Sequence, residues 1–382
     1  MTRIYLIRHA EAEGNLYRRA HGQYDSLVTD KGKQQIEQLA KRFEGEDIAA
    51  VYSSDLNRAR TTAGAIYKSR GLQVITTARL REANLGEWEG MPWGEMEYRT
   101  PELLSNFSND PANWKVRDGE DFHKVQERMV SMLKEIGARH DGKTVAAFSH
   151  GFAIRSFMCA VLGIPSNETS KVAHCDNTAV TLLHYENGEL TIQYMGDNSH
   201  LDKGSSTFEK QKFWREDGDT HSENLRYLPY DETRDAELVA ALSRESGGAK
   251  FKDTASIEKH AAAHPEAVMT AFLGDTPAGI VELDIESCAF EGVGRIAAYG
   301  LTDALYCDEM NIQLIGQAVA TFRSLGRERL RLEVRADDVR MAEFYPECGF
   351  VKIGETRRED GMYFIMEKDI ARRFTPVGVA GK

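Results

Sequence analysis

The apolar run Ile4–Ile7 ends abruptly on Arg8 and His9, and that ending constrains the fold more than any other feature of the chain. A run this short and this apolar reads as a strand buried on both faces. A guanidinium and an imidazole side by side are costly inside a core. They suit the rim of a parallel sheet, where open α/β folds bind ligands. Gly14 and Asn15 follow, and they predict a tight turn able to bring backbone N–H groups to an anion.

Strand and helix patterns then alternate. Ile36, Leu39, Ala40 and Phe43 recur at helical spacing within Lys33–Phe43, after an N-cap at Thr29 or Asp30. Ala49–Tyr52 is a second strand, and Ser53-Ser54-Asp55 is placed to cap the helix Leu56–Ser69. That helix carries Arg58 and Arg60 in its first turn, against the macrodipole, which binding of an anion there would compensate. Val74–Thr76 is a third strand. Leu80–Gly90, rich in acids, glycine and tryptophan and without clean periodicity, reads as a functional loop. From there to Gly119 the sequence predicts an insertion over the sheet edge, helical in patches and broken by Pro101 and Pro111. Asp121–Arg139 is an amphipathic helix. Val145–Phe148 is a fourth strand. It ends on Ser149-His150-Gly151 and enters an apolar helix, Phe152–Leu162, repeating the logic of the first. Two histidines and an arginine at three strand ends would meet in one crevice of a doubly wound sheet.

Leu6-Ile7-Arg8-His9 with Glu11 and Asn15, then Ser53–Ala59, then Leu80–Gly90, then Ser149-His150-Gly151 occur in this order. Together they resemble the histidine phosphatase superfamily, the phosphoglycerate-mutase-like fold, over about residues 1–205. One departure is visible: the family's Arg-His-Gly is Arg8-His9-Ala10, tolerable unless that position needs φ > 0. The resemblance implies that His9 attacks phosphorus and becomes a phosphohistidine. It implies that Arg8, Arg58 and His150 hold the equatorial oxygens with Asn15 as a neutral donor, and that Glu82 is the general acid and then the base. Gly22, Gln23, Thr29 and Gly151 are the further substrate-binding positions it carries over. It implies no metal or other cofactor, and a small phosphorylated metabolite as partner. Mutases of the family usually carry a longer insertion than this one, so hydrolysis is the expected outcome, with phosphoglycerate-mutase-type phosphoryl transfer as an alternative.

Val180–His184 and Thr191–Met195 predict two closing strands joined at Glu186-Asn187-Gly188. Residues 206–224 have a linker composition, although Phe208, Phe213 and Trp214 are too apolar for a free tether and are expected to dock. Beyond it the pattern predicts a mixed α+β domain over 225–370 and a tail over 371–382. Strands are expected at Leu225–Leu228, Val268–Phe272, Ala278–Ile285, Arg295–Leu301 and Leu330–Val334, with a final hairpin of Phe350–Ile353 and Met362–Glu367. Helices are expected at Arg234–Ser243, Ser256–His264, Ile312–Leu325 and Met341–Cys348. This order, with Ala342–Phe350, resembles the GNAT-type N-acetyltransferases. The resemblance implies an acetyl-CoA site at a glycine-rich loop before the helix near Ile312, and Tyr345 as general acid. The aligned stretch, Tyr306-Cys307-Asp308-Glu309-Met310-Asn311, has no glycine and puts two carboxylates where phosphates would lie. Asp338 stands where the family has Asn. Acetyl-CoA binding is therefore expected to be weak or lost, leaving a domain kept for its fold or for sensing a ligand; a working acetyltransferase is the alternative.

The expected fold class is thus α/β, a doubly wound α/β/α domain followed by a GNAT-like α+β domain. The formal net charge is −12, and residues 206–382 hold 23 basic and 32 acidic residues, net −9. Without a basic cluster, nucleic acid and anionic membrane are poor partners. No apolar run approaches the roughly 20 residues of a membrane span. The five cysteines form no C-x-x-C pair, and no signal peptide is read. A cytoplasmic location is expected, with homo-oligomerisation left open.

Overall fold

The opening run forms strand β1 (Thr2–Arg8), and its neighbours decide where the two histidines go. The computed structural model describes residues 1–210, 223–245, 254–302 and 307–372, and the chain divides into two units. Met1–Asn15, Arg19–Met91 and Met96–Thr220 make the first; His221–Lys382 makes the second, with Leu16–Arg18 and Pro92–Glu95 assigned to it.

In the first unit, β1, β2 (Ala50–Ser54), β3 (Val74–Thr77), β4 (Thr144–Ser149), β5 (Val180–Glu186) and β6 (Glu189–Asp197) form one sheet in the order β3-β2-β4-β1-β5-β6. The first four are parallel; β5 and β6 close the edge as an antiparallel hairpin. Asn187 and Gly188 both take positive φ (51° and 87°), as the tightest hairpin turn requires. Tyr5, Ile7, Val51, Ala146 and Phe148 face α2 (Asp30–Arg42) and α3 (Asn57–Arg70), whose Leu39, Phe43, Ala59, Ala63 and Ile66 complete that core. Ile4 and Leu6 are buried as well. By strand alternation they point to the other face, where α6 (Phe122–Arg139) and α7 (Gly151–Leu162) pack on β1 and on each other. This is a doubly wound sheet.

Several local expectations change. Gly14 and Asn15 lie in a short helix, α1 (Glu13–Leu16), and the Asn15 N–H donates to Ala12 O, so it is not offered to an anion. The start of α3 is capped by Asp25, whose Oδ1 accepts from Asn57 N at 2.9 Å, not by residues 53–55. Asp55 is instead held by Arg81 through two bonds of 2.6 and 2.5 Å. Pro101 opens α5 (Pro101–Asn109) at a position where its missing N–H costs nothing, after α4 (Trp93–Arg99). The insertion lies beside α7: Phe107 stacks on Phe152 at 4.6 Å, and Trp114 and Trp88 join them. The segment read as the start of a linker is docked, because Ser206 and Thr207 are buried and bonded to Asp176 and Glu11. The chain enters α8 (Thr207–Lys210) there. Phe213 and Trp214 lie outside the described residues.

In the second unit the described strands are β7 (Arg226–Pro229), β8 (Val268–Leu273), β9 (Thr276–Asp284), β10 (Val293–Leu301), β11 (Arg329–Arg335), β12 (Val351–Arg358) and β13 (Gly361–Asp369). Their order is β12-β13-β11-β10-β9-β8-β7. Only β10 and β11 are parallel neighbours, paired over Val293–Arg295 and Arg329–Arg331 and diverging beyond. The described helices of 221–372 are α9 (Glu232–Glu245), α10 (Thr254–Ala263), α11 (Asp308–Ser324) and α12 (Val339–Glu347). The stretch read as a cofactor loop is helical from Asp308: two acids in a first turn favour the helix dipole. Tyr306 lies outside the described residues. Among the described residues, no helix is long and apolar enough to cross a membrane.

Candidate active site

Parallel pairing of β1 with β4 puts Arg8 in register with Ser149, so His9 and His150 leave the sheet side by side. Their ring centroids are 5.1 Å apart. The His9 backbone is fixed on both sides. Its N–H donates to Ser149 O, and its carbonyl accepts from Asn177 Nδ2 at 2.9 Å and Thr178 N at 3.3 Å. Thr178 takes φ 59°, a strained value for a β-branched residue, to make that contact. Ala10, the departure from the family pattern, is not among the residues with positive φ.

The His9 tautomer follows from its partner. Nδ1 lies 2.7 Å from Ala10 O, which can only accept, so Nδ1 carries the proton and Nε2 keeps a lone pair. Burial, followed by the charges of Arg58 and Arg8, pushes the His9 pKa well below its usual range. The ring is a neutral nucleophile.

Arg58 answers the objection to a cation in a first helical turn. Its guanidinium is fully buried and donates to His21 O, Gly22 O and Tyr24 O at 2.8, 2.7 and 3.2 Å. Arg8 donates through Nη1 to Cys175 O at 2.5 Å, and Gly151 leaves room for it: a Cβ there would lie 3.2 Å from Arg8 Nε. Among the described residues, Arg8 Nε, Arg58 Nε and both His150 ring nitrogens are buried without a hydrogen-bond partner. Such groups are costly unless something absent from the chain satisfies them. Burial lowers the pKa of both arginines and, with Arg58 and His9 nearby, that of His150.

Glu82 sits at the N-terminus of α7. Its carboxylate accepts from Phe152 N at 3.0 Å, Ala153 N at 2.8 Å and Ala83 N at 3.0 Å. Burial outweighs these bonds and the charge of Arg58, and raises its pKa. A carboxyl held at a helix start with a raised pKa is suited to give and retake a proton.

The other carried-over positions are placed differently. Asn15 Oδ1 caps Ala12 N at 3.1 Å. Thr29 caps α2 and donates to Glu11 Oε1 at 2.7 Å. The Gln23 amide is turned to the Glu82 loop, accepting from Arg81 Nη1 at 3.1 Å and lying 3.4 Å from Glu82 O. Gly22 gives a close approach, since a Cβ would come 2.4 Å from both Ala83 O and Glu89 Oε1. In the second unit Tyr345 is buried, with its hydroxyl 2.7 Å from that of Tyr299.

Three residues were missed in the sequence. His21 lies 5.6 Å from the His9 ring, and only its place one residue before Gly22 hinted at it. Glu89 joins the loops around the crevice by accepting from Leu85 N, Gln23 N and Tyr24 N. Arg128 fixes the Glu82 backbone, donating to Arg81 O and Glu82 O while paired with Glu120. Long-range carbonyl contacts leave no mark in sequence. Among the described residues, no cluster of three or more His, Cys, Asp or Glu is arranged to hold a metal ion.

Three neutral imidazoles around the crevice make the fold acid-sensitive. His9, His21 and His150 all have pKa values pushed well below 6.5 by burial and the arginines. Between about pH 6.5 and the folded values only the unfolded chain takes up these protons, so stability falls as pH drops through that window. Each ring contributes on the order of 1 kcal/mol per pH unit there. The raised Glu82 pKa opposes this with one group. Thermal melting at pH 7.5, 6.5 and 5.5 is expected to show a falling midpoint, restored in part by phosphate. A flat midpoint would contradict neutral rings.

A family model described as the histidine phosphatase superfamily (branch 1) matches residues 4–198. The chain is 31% identical over 201 residues to phosphoserine phosphatase 1 of Hydrogenobacter thermophilus, across 53% of this chain and 95% of that protein. It is 35% identical over 204 residues to phosphoglycerate mutase-like protein 4 of Arabidopsis thaliana, across 52% of this chain and 87% of that protein. The solved structure of Bacillus stearothermophilus YhfR superposes with a TM-score of 0.51 at 33% identity, covering 53% of this chain and 100% of that one.

Proposed function

The chain belongs to the histidine phosphatase superfamily, and on that premise we propose that it hydrolyses a small phosphate monoester through a phosphohistidine on His9. The carrying observation is the set of buried unsatisfied donors, on Arg8, Arg58 and His150, around a neutral His9. His9 Nε2 attacks phosphorus while the leaving oxygen takes the Glu82 proton. Arg8, Arg58 and His150 hold the three equatorial oxygens as charge redistributes. Glu82, now a carboxylate, takes a proton from water, the water attacks phosphorus, and Nε2 departs with its lone pair restored. The protein supplies all the positive charge this sequence of steps needs. We place the enzyme in the cytoplasm and take its substrate from the small phosphorylated metabolites. The relatives' names make phosphoserine and phosphoglycerates the first compounds to try. A panel of such esters with the full-length protein in EDTA should release orthophosphate. No release from any, or transfer to a second position with no release, would overturn hydrolysis.

For the second unit we propose a GNAT-like fold with impaired acetyl-CoA binding. Its strand order and the diverging β10/β11 pair support the fold reading. Asp308 and Glu309 occupy the first turn of α11, where a pyrophosphate would need open N–H groups. The Asp308 carboxylate lies 3.1 Å from Arg340 Nη2, which relieves part of the repulsion. Each remaining like-charge pair costs on the order of 1 kcal/mol in a partly desolvated site. Calorimetric titration of the full chain with acetyl-CoA should show no micromolar binding. Micromolar affinity that survives high salt would instead support a second, acetyl-transferring activity.

A further inference from the structure

The His9 ring takes its tautomer from Ala10 O, so the setting of the His9–Ala10 peptide decides where the free nitrogen points. That peptide is clamped on both edges. Its N–H, from Ala10, donates to Thr62 Oγ1 at 2.9 Å, and Thr62 donates on to Arg58 O at 2.6 Å. Its carbonyl, from His9, accepts from Asn177 Nδ2 and from Thr178 N. The second clamp requires Thr178 to keep a φ of 59°, a left-handed value that a β-branched residue holds only when its surroundings impose it.

What imposes it is an imidazole just past the end of β6, His200. Its Nδ1 lies 3.3 Å from Arg42 Nη1, at the end of α2. A guanidinium can only donate, so Nδ1 accepts and Nε2 carries the proton. Nε2 lies 3.0 Å from Thr178 Oγ1, whose own proton goes to Asn177 O at 2.7 Å. Arg42 is fixed in turn by Asp197 Oδ2 at 2.7 Å. Burial, followed by the charge of Arg42, pushes the His200 pKa down to about 4, so at neutral pH the ring is neutral and each bond keeps its direction.

On the phosphatase reading, we propose that His200 is a positioning residue for the nucleophile. Its Nε2–H holds Thr178 in the left-handed conformation. Thr178 N and Asn177 Nδ2 then hold the His9 carbonyl, and the His9 ring keeps its Nε2 lone pair aimed at phosphorus. Arg42 selects the His200 tautomer that does this. The side chains of Arg8, Arg58 and His150 make none of these bonds. Losing the strap should therefore slow phosphoryl transfer, which needs an aligned nucleophile, and spare phosphate binding, which does not.

The test separates transfer from binding in the full-length protein. His200→Phe keeps a ring and loses both bonds, whereas His200→Gln offers one donor and one acceptor, as the neutral imidazole does. In rapid-quench single turnovers of an aryl phosphate, phosphohistidine formation should slow about tenfold to a hundredfold in the Phe variant. The Gln variant should return to within about threefold of wild type. Affinity for inorganic phosphate, read by calorimetry, should stay within about threefold in both. Nitrogen NMR should show His9 protonated on Nδ1 alone in wild type and the Gln variant, and as mixed tautomers in the Phe variant. A Phe variant that transfers at the wild-type rate overturns the assignment, and so does a Gln variant no faster than Phe. Phosphate binding that falls as far as transfer also overturns it, because the whole site would then have loosened. If the Phe variant does not fold, Thr178→Ala cuts the same bond from its other end and is read in the same way. If wild type itself forms no phosphohistidine, the hydrolase reading falls and the NMR comparison decides alone: a His9 tautomer unchanged in the Phe variant would then remove His200 from the role.

Discussion

The His9→Ala variant is expected to lose kcat/KM by on the order of 10³-fold or more, with no phosphoenzyme detectable. His9 is the ring whose Nε2 is left unprotonated by a bonded Nδ1 and set among the unsatisfied donors. The fold should survive. The backbone bonds to Ser149, Asn177 and Thr178 do not involve the side chain, and the imidazole makes one further hydrogen bond, to Ala10 O. Removing a neutral ring that cannot take up protons also removes one source of acid sensitivity, so the variant should melt less steeply below pH 6.5. The check is a radiolabelled-phosphate chase quenched in alkali, where phosphoramidates persist. Wild type should carry label on His9 and the variant none. Near-normal turnover by the variant would remove His9 as nucleophile.

Glu82→Gln is expected to separate substrates by leaving group. Alkyl phosphates need a proton on the departing oxygen, and losing a positioned acid costs about 10²–10⁴ in rate. Aryl phosphates leave readily as phenolates and should lose far less. A structural penalty accompanies the change. The Glu82 carboxylate accepts from three backbone N–H groups. A Gln amide presents one donor edge to them and costs about 1–3 kcal/mol. That penalty lowers both rates alike, so the ratio between substrate classes carries the mechanism. The pH profile gives an independent sign. With its pKa raised, the acid form of Glu82 persists above the ordinary carboxyl range, and alkyl-ester turnover limited by leaving-group departure should fall as pH rises through that value. Equal losses on alkyl and aryl esters would remove Glu82 from the role.

What the sequence determined by itself is local or periodic. Ile4–Ile7 and Val145–Phe148 read as buried strands, because so short and continuous an apolar run suits an element hidden on both faces. Each ended on a histidine, so two imidazoles at one sheet rim were readable without coordinates. The helix 122–139 and the succession of strands after Arg226 followed from spacing in the same way, whereas the helix expected from Ile312 begins one turn earlier, at Asp308. Tertiary structure decided everything set by contacts distant in sequence. Asp25 rather than residues 53–55 caps α3, because the loop after α1 folds back across 32 positions to reach Asn57. Thr29 and Gln23, substrate-binding positions by resemblance, are bonded to Glu11 and to Arg81 of the Glu82 loop, and His21, which spacing did not single out, lies 5.6 Å from the His9 ring. Residues 206–224 have a linker's composition, yet Ser206 and Thr207 are buried, because Asp176 and Glu11 offer acceptors that a composition argument cannot see. Side-chain type and spacing decide which elements form. Which polar groups are satisfied within the fold, and which are left for a ligand, depends on partners that only the folded chain brings within three ångströms.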